Sequence, residues 1–452
     1  MTTKHDLIVI GAGMAGVTAA TKCASQGWDV AIVDALPYGG TCALRGCDPK
    51  KILRRGAEII DSARLMRGKG IEDAGVAISW TDLMKHKHGF TDPVPTSIEA
   101  GLARGGVATL HGKATFTGTN RLEISGATHS AKRFLIATGA SPRALDFPGH
   151  DHLIDSTQFL DLEALPSRIL FAGGGFISFE FAHIAARAGS SAVIIDRGPR
   201  PLKAFDPDLV EILVARSAAA GIEVRRATTV EAVERTPSGF QVVVEHAGRF
   251  ETIEADLVVH GAGRHPELAR LDLSAAGVAW TTRGVTMTGH LQSTTNPAVY
   301  AAGDCAETPG MPLTPVAVLE GKVAASNMLK TSTTIPDYTG IPTAVFTIPE
   351  LVRVGLLEQE AHEQGLHVDV RYSDTSTWYS SYRMGETAAA VKILVDRTND
   401  RIVGAHLLGP DYAELVNVIG LAIKLNLTTR QLKSATTAYP TVGSDLSMPR
   451  ER

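Results

Sequence analysis

Cysteine is scarce in this chain, four among 452 residues, too few for a disulfide-stapled scaffold. No second Cys or His pair with ligand spacing accompanies Cys42 and Cys47, so a zinc site is not expected. Charge of one sign is missing too: 44 Lys and Arg against 48 Asp and Glu give a net charge of -4. That balance offers no basic face to nucleic acid or to an anionic membrane. Apolar residues nowhere run for ~18 positions without charge or punctuation, so no membrane span is expected. Strand-like sequence already begins at Asp6-Leu7-Ile8-Val9-Ile10, leaving no room for a signal peptide, and a cytoplasmic location is the expectation. Short repeats and low-complexity tracts are absent. What remains, 44% hydrophobic and 20% charged, is an ordinary globular composition, and the length predicts ~3 domains.

Two of the four cysteines share one short run, Gly39-Gly40-Thr41-Cys42-Ala43-Leu44-Arg45-Gly46-Cys47-Asp48-Pro49-Lys50-Lys51. In a reducing compartment such a pair points to thiol–disulfide exchange, with a structural disulfide as the alternative. Thr41-Cys42 is expected to open a helix whose N-terminus lowers a thiolate pKa. Cys23 and Cys305 read as small buried residues.

Two stretches look alike. Leu7-Ile8-Val9-Ile10 leads into Gly11-Ala12-Gly13-Met14-Ala15-Gly16, and Ile169-Leu170-Phe171-Ala172 leads into Gly173-Gly174-Gly175-Phe176-Ile177-Ser178. Each is followed by a helical segment and a second strand ending in an acid, Asp34 and Asp196. Strand, glycine turn, helix and strand with an acid ~20 residues on is the dinucleotide fingerprint. Its glycines let backbone approach a pyrophosphate, the helix N-terminus offers free N–H groups, and the acid accepts from a ribose hydroxyl. Phe240–Glu245 alternates as a strand completing the second nucleotide fold, and Val299-Tyr300-Ala301-Ala302-Gly303-Asp304 reads as strand then turn. Beyond about residue 335 the nucleotide signals stop. Ala388–Asp396 and Arg401–Leu408 predict antiparallel strands joined through Thr398-Asn399-Asp400, and Tyr412 to Lys424 carries helical periodicity.

Taken in order, these motifs resemble the class I pyridine nucleotide–disulfide oxidoreductases, the group of glutathione reductase, dihydrolipoamide dehydrogenase and mercuric reductase. Ala137-Thr138-Gly139, Leu313-Thr314-Pro315-Val316-Ala317, Ile341–Thr347 and Ile402–Gly409 extend the resemblance over essentially the whole chain. It implies an α/β fold with two Rossmann-like dinucleotide-binding domains plus a C-terminal α+β dimerisation domain. The expected boundaries are 1–149 and 266–335 for FAD, 150–265 for NAD(P), and 336–452 for the interface. FAD is implied at Gly11, Gly13, Gly16, Asp34, Gly40, Thr41, Thr138, Gly139, Asp304, Leu313, Thr314 and Pro315. Asp304 would hold the ribityl chain, or serve only as a turn former. Thr314 would aim backbone N–H groups at the flavin, or serve only as a helix cap. By the same resemblance Cys47 is the flavin-proximal sulfur and Cys42 the interchange thiol. Lys50 or Lys51 pairs with Glu180 beside the flavin, the alternative being two solvated lysines. NAD(P)H is implied at Gly173, Gly175, Ser178, Asp196, Arg197, Lys203 and Gly263. Asp196 suits NADH, whereas Arg197, Arg200, Lys203 and the small Ser178 favour NADPH; the balance is narrowly NADPH.

The pattern then breaks. Most disulfide-reducing members carry His-Pro-Thr-x-x-Glu, whose His serves the partner subunit's thiols as acid–base. Here the segment is Tyr439-Pro440-Thr441-Val442-Gly443-Ser444-Asp445. A phenol, titrating near ~10, cannot replace an imidazole near neutral pH. Mercuric reductases also have Tyr there, but their usual C-terminal cysteine pair is missing from Met448-Pro449-Arg450-Glu451-Arg452. Met14, Thr21 and Lys322 replace the Ser, Arg and Arg with which glutathione reductases tend to clamp glutathione. His86 and His88 read as an exposed polar helix face, and Trp378, Tyr379 and Tyr382 as packing, a substrate entry or a dimer contact.

The sequence thus predicts a homodimeric FAD-dependent NAD(P)H reductase with shared active sites and a redox-active Cys42–Cys47 disulfide. A small-molecule disulfide, metal ion or quinone-like compound is the expected acceptor, with neither nucleic acid nor membrane as partner. A mercuric-reductase-like metal reductase using Tyr439 and a non-catalytic redox-sensing flavoprotein are the alternatives.

Overall fold

Thr3–Ile10, Val30–Asp34 and Val299–Ala301 are rich in Val, Ile, Leu and Ala, the composition of strands covered on both faces. In the computed structural model, which describes residues 3–72, 74–330 and 333–446, they share one sheet. Its order is Val107–His111, Val30–Asp34, Thr3–Ile10, Ala127–Ile136, Arg121–Ile124, Ala114–Gly118, with Val299–Ala301 also pairing Ala127–Ile136. The nucleotide-fold strands run parallel, and Ala114–Gly118 and Arg121–Ile124 are antiparallel additions. Helix Met14–Ala24 crosses over with Ala15, Ala19, Ala20 and Cys23 buried, small side chains that let it lie close to the sheet. Helix Thr314–Lys330 packs on it so tightly that a Cβ on Gly321 would stand 2.5 Å from the Ala15 carbonyl oxygen. As the sequence suggests, Cys23 and Cys305 are fully buried; burial pushes their thiols up to about 12 and about 11.

The second fingerprint repeats the arrangement. Arg168–Ala172, helix Phe176–Arg187 and Ser191–Ile195 combine with Ile222–Arg225 and Leu257–His260 in a parallel four-stranded sheet. Gly239–His246 is the middle of a separate three-stranded antiparallel sheet. Farther on, Ala390–Asp396 and Arg401–Gly409 pair antiparallel inside a five-stranded sheet, and helix Tyr412–Lys424 follows as its periodicity predicts. The fold class is therefore α/β, with two dinucleotide-binding folds and a C-terminal α+β module.

The chain is organised as two units, Met1–Lys50, His86–Arg143 and Arg264–Tyr338 in one, Lys51–Lys85, Ala144–Gly263 and Thr339–Arg452 in the other. In the second, Leu53 and Ala57 share a core with Phe159, Phe171, Phe179, Val345 and Leu408. His86 is exposed and His88 pairs with Asp92 at 3.1 Å, but Lys87 between them is buried. Among the described residues no helix is long and apolar enough to cross a membrane. Met448–Arg452, where the cysteine pair is missing, lies outside the described residues.

Candidate active site

Gly39 and Gly40 both have positive φ, and a Cβ on Gly40 would stand 2.6 Å from Gly13 Cα. The cysteine segment therefore starts against the first glycine turn, an approach only glycine permits. Thr41–Arg45 forms one π-helical turn, Gly46 breaks it at φ -158 and ψ -103, and the α-helix Cys47–Leu65 follows. Thr41-Cys42 thus opens a helical turn as expected, but a π-helical one, and the α-helical N-terminus belongs to Cys47. Cys42 is half-buried and Cys47 exposed, both as unbridged thiols. Their sulfurs hydrogen-bond each other, which draws Cys47 down to about 6 against the opposing effect of burial. Thr314, whose Oγ1 lies 3.5 Å from Cys47 Sγ, and the Lys50 charge act in the same direction. The same bond, then burial, drives Cys42 upward. Both shifts run in the direction that favours the proton on Cys42 and the anion on Cys47.

Around this pair the first glycine turn forms a cradle. A Cβ on Gly11 would strike the Ala137 carbonyl oxygen at 2.3 Å, and one on Gly16 the Gly11 carbonyl oxygen at 2.0 Å. Gly13 caps helix Met14–Ala24 without a side-chain cap, and Asp34 accepts from Ala12 N–H at 2.8 Å. Thr138 Oγ1 donates to the Glu267 carbonyl at 2.6 Å, and Gly139 lies at φ 70. Asp304 follows Gly303 in a positive-φ turn, and burial pushes its carboxyl up. Leu313 accepts from Ala317 N–H at 2.9 Å, so Thr314 and the exposed Pro315 open the next helix.

At the second turn, a Cβ on Gly173 would come within 2.5 Å of Gly261, and Gly175 caps helix Phe176–Arg187 without a side chain. Ser178 is fully buried, its Oγ without a hydrogen-bond partner and filling the space a Gly261 Cβ would need. Asp196 is turned inward: Oδ1 accepts from Gly198 N–H at 3.0 Å, and Oδ2 would be 2.4 Å from a Cβ on Gly174. Arg197 and Lys203 are exposed, and Gly263 lies at φ 102 with open space around it.

The two lysines differ. Lys51 Nζ lies 3.6 Å from the Phe346 ring centroid and 3.9 Å from Glu350. Glu180 is buried, and its Oε1 accepts from the Phe346 backbone N–H at 2.7 Å. Sequence reasoning missed Phe346, because a backbone donor carries no side-chain signature. It also missed Glu320, which was legible as an acid among buried apolar positions of the Thr314–Lys330 helix. Tyr439 is 81% exposed, with the Tyr379 ring 6.4 Å away. Ser444 donates to Thr441 O at 2.6 Å within its own turn.

Residues 5–321 match the pyridine nucleotide-disulphide oxidoreductase description, and residues 341–448 match that family's dimerisation domain. The chain belongs to this family. It is 34% identical over 454 residues to a glutathione reductase of Burkholderia cepacia, covering 99% of this chain and 98% of the relative. A mercuric reductase of Bacillus cereus is 31% identical, covering 98% of this chain and 70% of that protein. Among solved structures, a Cu(II) complex of the HOCl-induced flavoprotein disulfide reductase RclA from Escherichia coli superposes with TM-score 0.87 at 25% identity, covering 98% of both chains. The family is FAD-dependent and uses NAD(P)H. The uncapped helix behind Gly13 and the close glycine contacts fit a pyrophosphate-bearing dinucleotide. Its dimerisation domain supports a homodimer.

Proposed function

We propose that this family member is an NADPH-preferring reductase in which Cys42 and Cys47 are the redox-active pair, serving a small acceptor other than glutathione disulfide. The observation that carries the reading is the pair of hydrogen-bonded sulfurs at the start of a helix, with Thr314 Oγ1 3.5 Å from Cys47 Sγ and the Cys47 thiol drawn downward by its neighbours. Bound FAD would supply the two-electron link between nicotinamide and sulfur, held by the 11–16 turn, Asp34, Gly40, Thr41, Thr138, Gly139, Asp304 and the 313–315 helix start. Residues 1–149 and 266–335 would form its domain, 150–265 that of the nicotinamide nucleotide and 336–452 the interface. Lys50, which acts electrostatically on Cys47, is the lysine we assign to the flavin. Lys51 is engaged with Phe346 and Glu350.

Toward a disulfide acceptor, the Cys42 sulfur bonds one acceptor sulfur as it gives up its proton, and the other acceptor sulfur departs as a thiolate that takes up that proton. The Cys47 thiolate then attacks Cys42, expels the second thiolate and closes the Cys42–Cys47 disulfide, so two electrons leave the protein. The second leaving group needs a proton from elsewhere, and the His that serves this chemistry in most disulfide-reducing members is replaced here by Tyr439. NADPH is favoured because Asp196 spends its carboxylate on Gly198 while Arg197 and Lys203 stay exposed for a 2'-phosphate.

A second reading, reduction of a metal ion at the thiol pair with Tyr439 supplied by the partner subunit, is favoured by the exposure of that phenol and by the copper complex of the related reductase. An acceptor panel of disulfides, Cu(II), Hg(II) and quinones after anaerobic NADPH reduction tests both. Turnover of disulfides lost in Cys42→Ser supports the first reading, and metal turnover sensitive to Tyr439→Phe supports the second. An NADPH titration that consumes no equivalents beyond the flavin overturns the dithiol assignment.

A further inference from the structure

Burying a carboxylate is costly unless its lone pairs are matched. Glu320 is 1% exposed on the Thr314–Lys330 helix, among buried Val316, Val323 and Ala324. Three donors converge on it from outside the helix. Oε2 accepts from Gly303 N–H at 2.7 Å, and Oε1 accepts from the hydroxyls of Thr308 and Tyr338, each at 2.7 Å. An amide could not serve as well, since its NH2 would face donors.

We propose that Glu320 is a positioning residue for the flavin-binding turn, fixing Asp304 relative to Thr314 and, through Thr314, to Cys47. This rests on the flavin-site reading above. The residue it grips, Gly303, immediately precedes Asp304, and Glu320 shares a helix with Thr314, which touches Cys47. That helix is itself immobilised, because Gly321 abuts the Ala15 backbone of the first fingerprint helix. The gripped loop has no slack either: a Cβ on Gly310 would stand 2.7 Å from Tyr338 and 2.9 Å from Glu320 Oε1. Thr308 Oγ1 also accepts from Gly310 N–H at 3.2 Å, so the grip on Thr308 extends along the turn. Packing alone would be served by an apolar residue, and a second acid beside Asp304 works against packing. A requirement for fixed acceptors accounts for it.

The test uses the full chain stripped of flavin and measures the FAD dissociation constant by fluorescence quenching. The pH dependence of Cys47 alkylation by iodoacetamide is followed on the same apoprotein. Glu320→Gln is expected to weaken FAD binding about 10-fold or more, the loss of charge-assisted hydrogen bonds. Tyr338→Phe, which deletes one donor, is expected to weaken it about threefold. In Glu320→Gln the alkylation midpoint is expected to move upward as Thr314 loses its register with Cys47. A folded Glu320→Gln variant with native FAD affinity and a native alkylation midpoint overturns the proposal, even if its thermal midpoint falls. Should that variant not fold, native affinity in both Tyr338→Phe and Thr308→Ala overturns it instead. Failure of the wild-type chain to bind FAD overturns the flavin-site reading itself, a separate outcome.

Discussion

One proton shared by Cys42 and Cys47 sets the reactivity of the pair. Because the Cys47 pKa lies below that of an ordinary thiol, its anion persists at neutral pH and is lost as pH falls through about 6. Alkylation of reduced protein, read at Cys47 by peptide mass, should rise with pH around that midpoint. Cys42→Ala removes the donor and should shift the midpoint up toward an ordinary thiol near ~8.5. The lysines offer a second test. Lys50→Met should slow NADPH-driven flavin reduction by about 100-fold, whereas Lys51→Met should change it less than about threefold and lower the thermal midpoint instead. Stopped-flow absorbance separates the two, and equal rates would refute the assignment of Lys50. At this scale the cysteines, Asp34, Asp196 and Asp304 could be read from sequence because each stands at a fixed offset from a glycine turn. Phe346 could not, since its contribution to Glu180 is a backbone N–H delivered from 166 positions away.

Helices and strands were legible where one pattern ran unbroken, as in Tyr412–Lys424 and the parallel strands of the two nucleotide folds. The cysteine segment was not, because its break lies in the backbone angles of Gly46 rather than in any composition signal. There a Cβ would meet Thr41 O at 3.0 Å, so any side chain would press on the closed turn. Gly40→Ala tests the neighbouring approach: with φ 64 and Gly13 Cα 2.6 Å from the new Cβ, the two segments must separate. FAD affinity should drop about 10-fold or more, and an unchanged dissociation constant would show that the approach is dispensable.

For the whole molecule, the charged cluster in the second unit is the main polar anchor. Asp61 bridges Arg187 and Arg216, each at 2.8 Å, and Arg216 also pairs with Glu386 at 3.1 Å. Arg187 further contacts buried His183, which burial keeps well below the usual imidazole range and therefore neutral. Asp61→Ala leaves the buried Arg187 guanidinium without a carboxylate, while Arg216 keeps Glu386, and should cost about 3–5 kcal/mol, read as a lower urea midpoint. No local pattern announces this cluster, because its members come from three helices and a loop far apart in sequence. The dimer has its own test: hybrids of a Cys42→Ser subunit with a Tyr439→Phe subunit should keep one intact site if the phenol crosses between subunits. Hybrid metal turnover no higher than that of either mutant homodimer would argue against crossing.

The first sheet is not finished until Val299–Ala301 joins the edge of Ala127–Ile136 and helix Thr314–Lys330 settles over Met14–Ala24. A ribosome must therefore deliver roughly seven-tenths of the polypeptide before the earliest-made glycine turn acquires its full surroundings, with residues 144–263 of the second unit made in between. A fragment ending at residue 143 would leave Phe134–Ile136 without their strand partner and helix Met14–Ala24 uncovered, and should aggregate rather than take up the yellow cofactor.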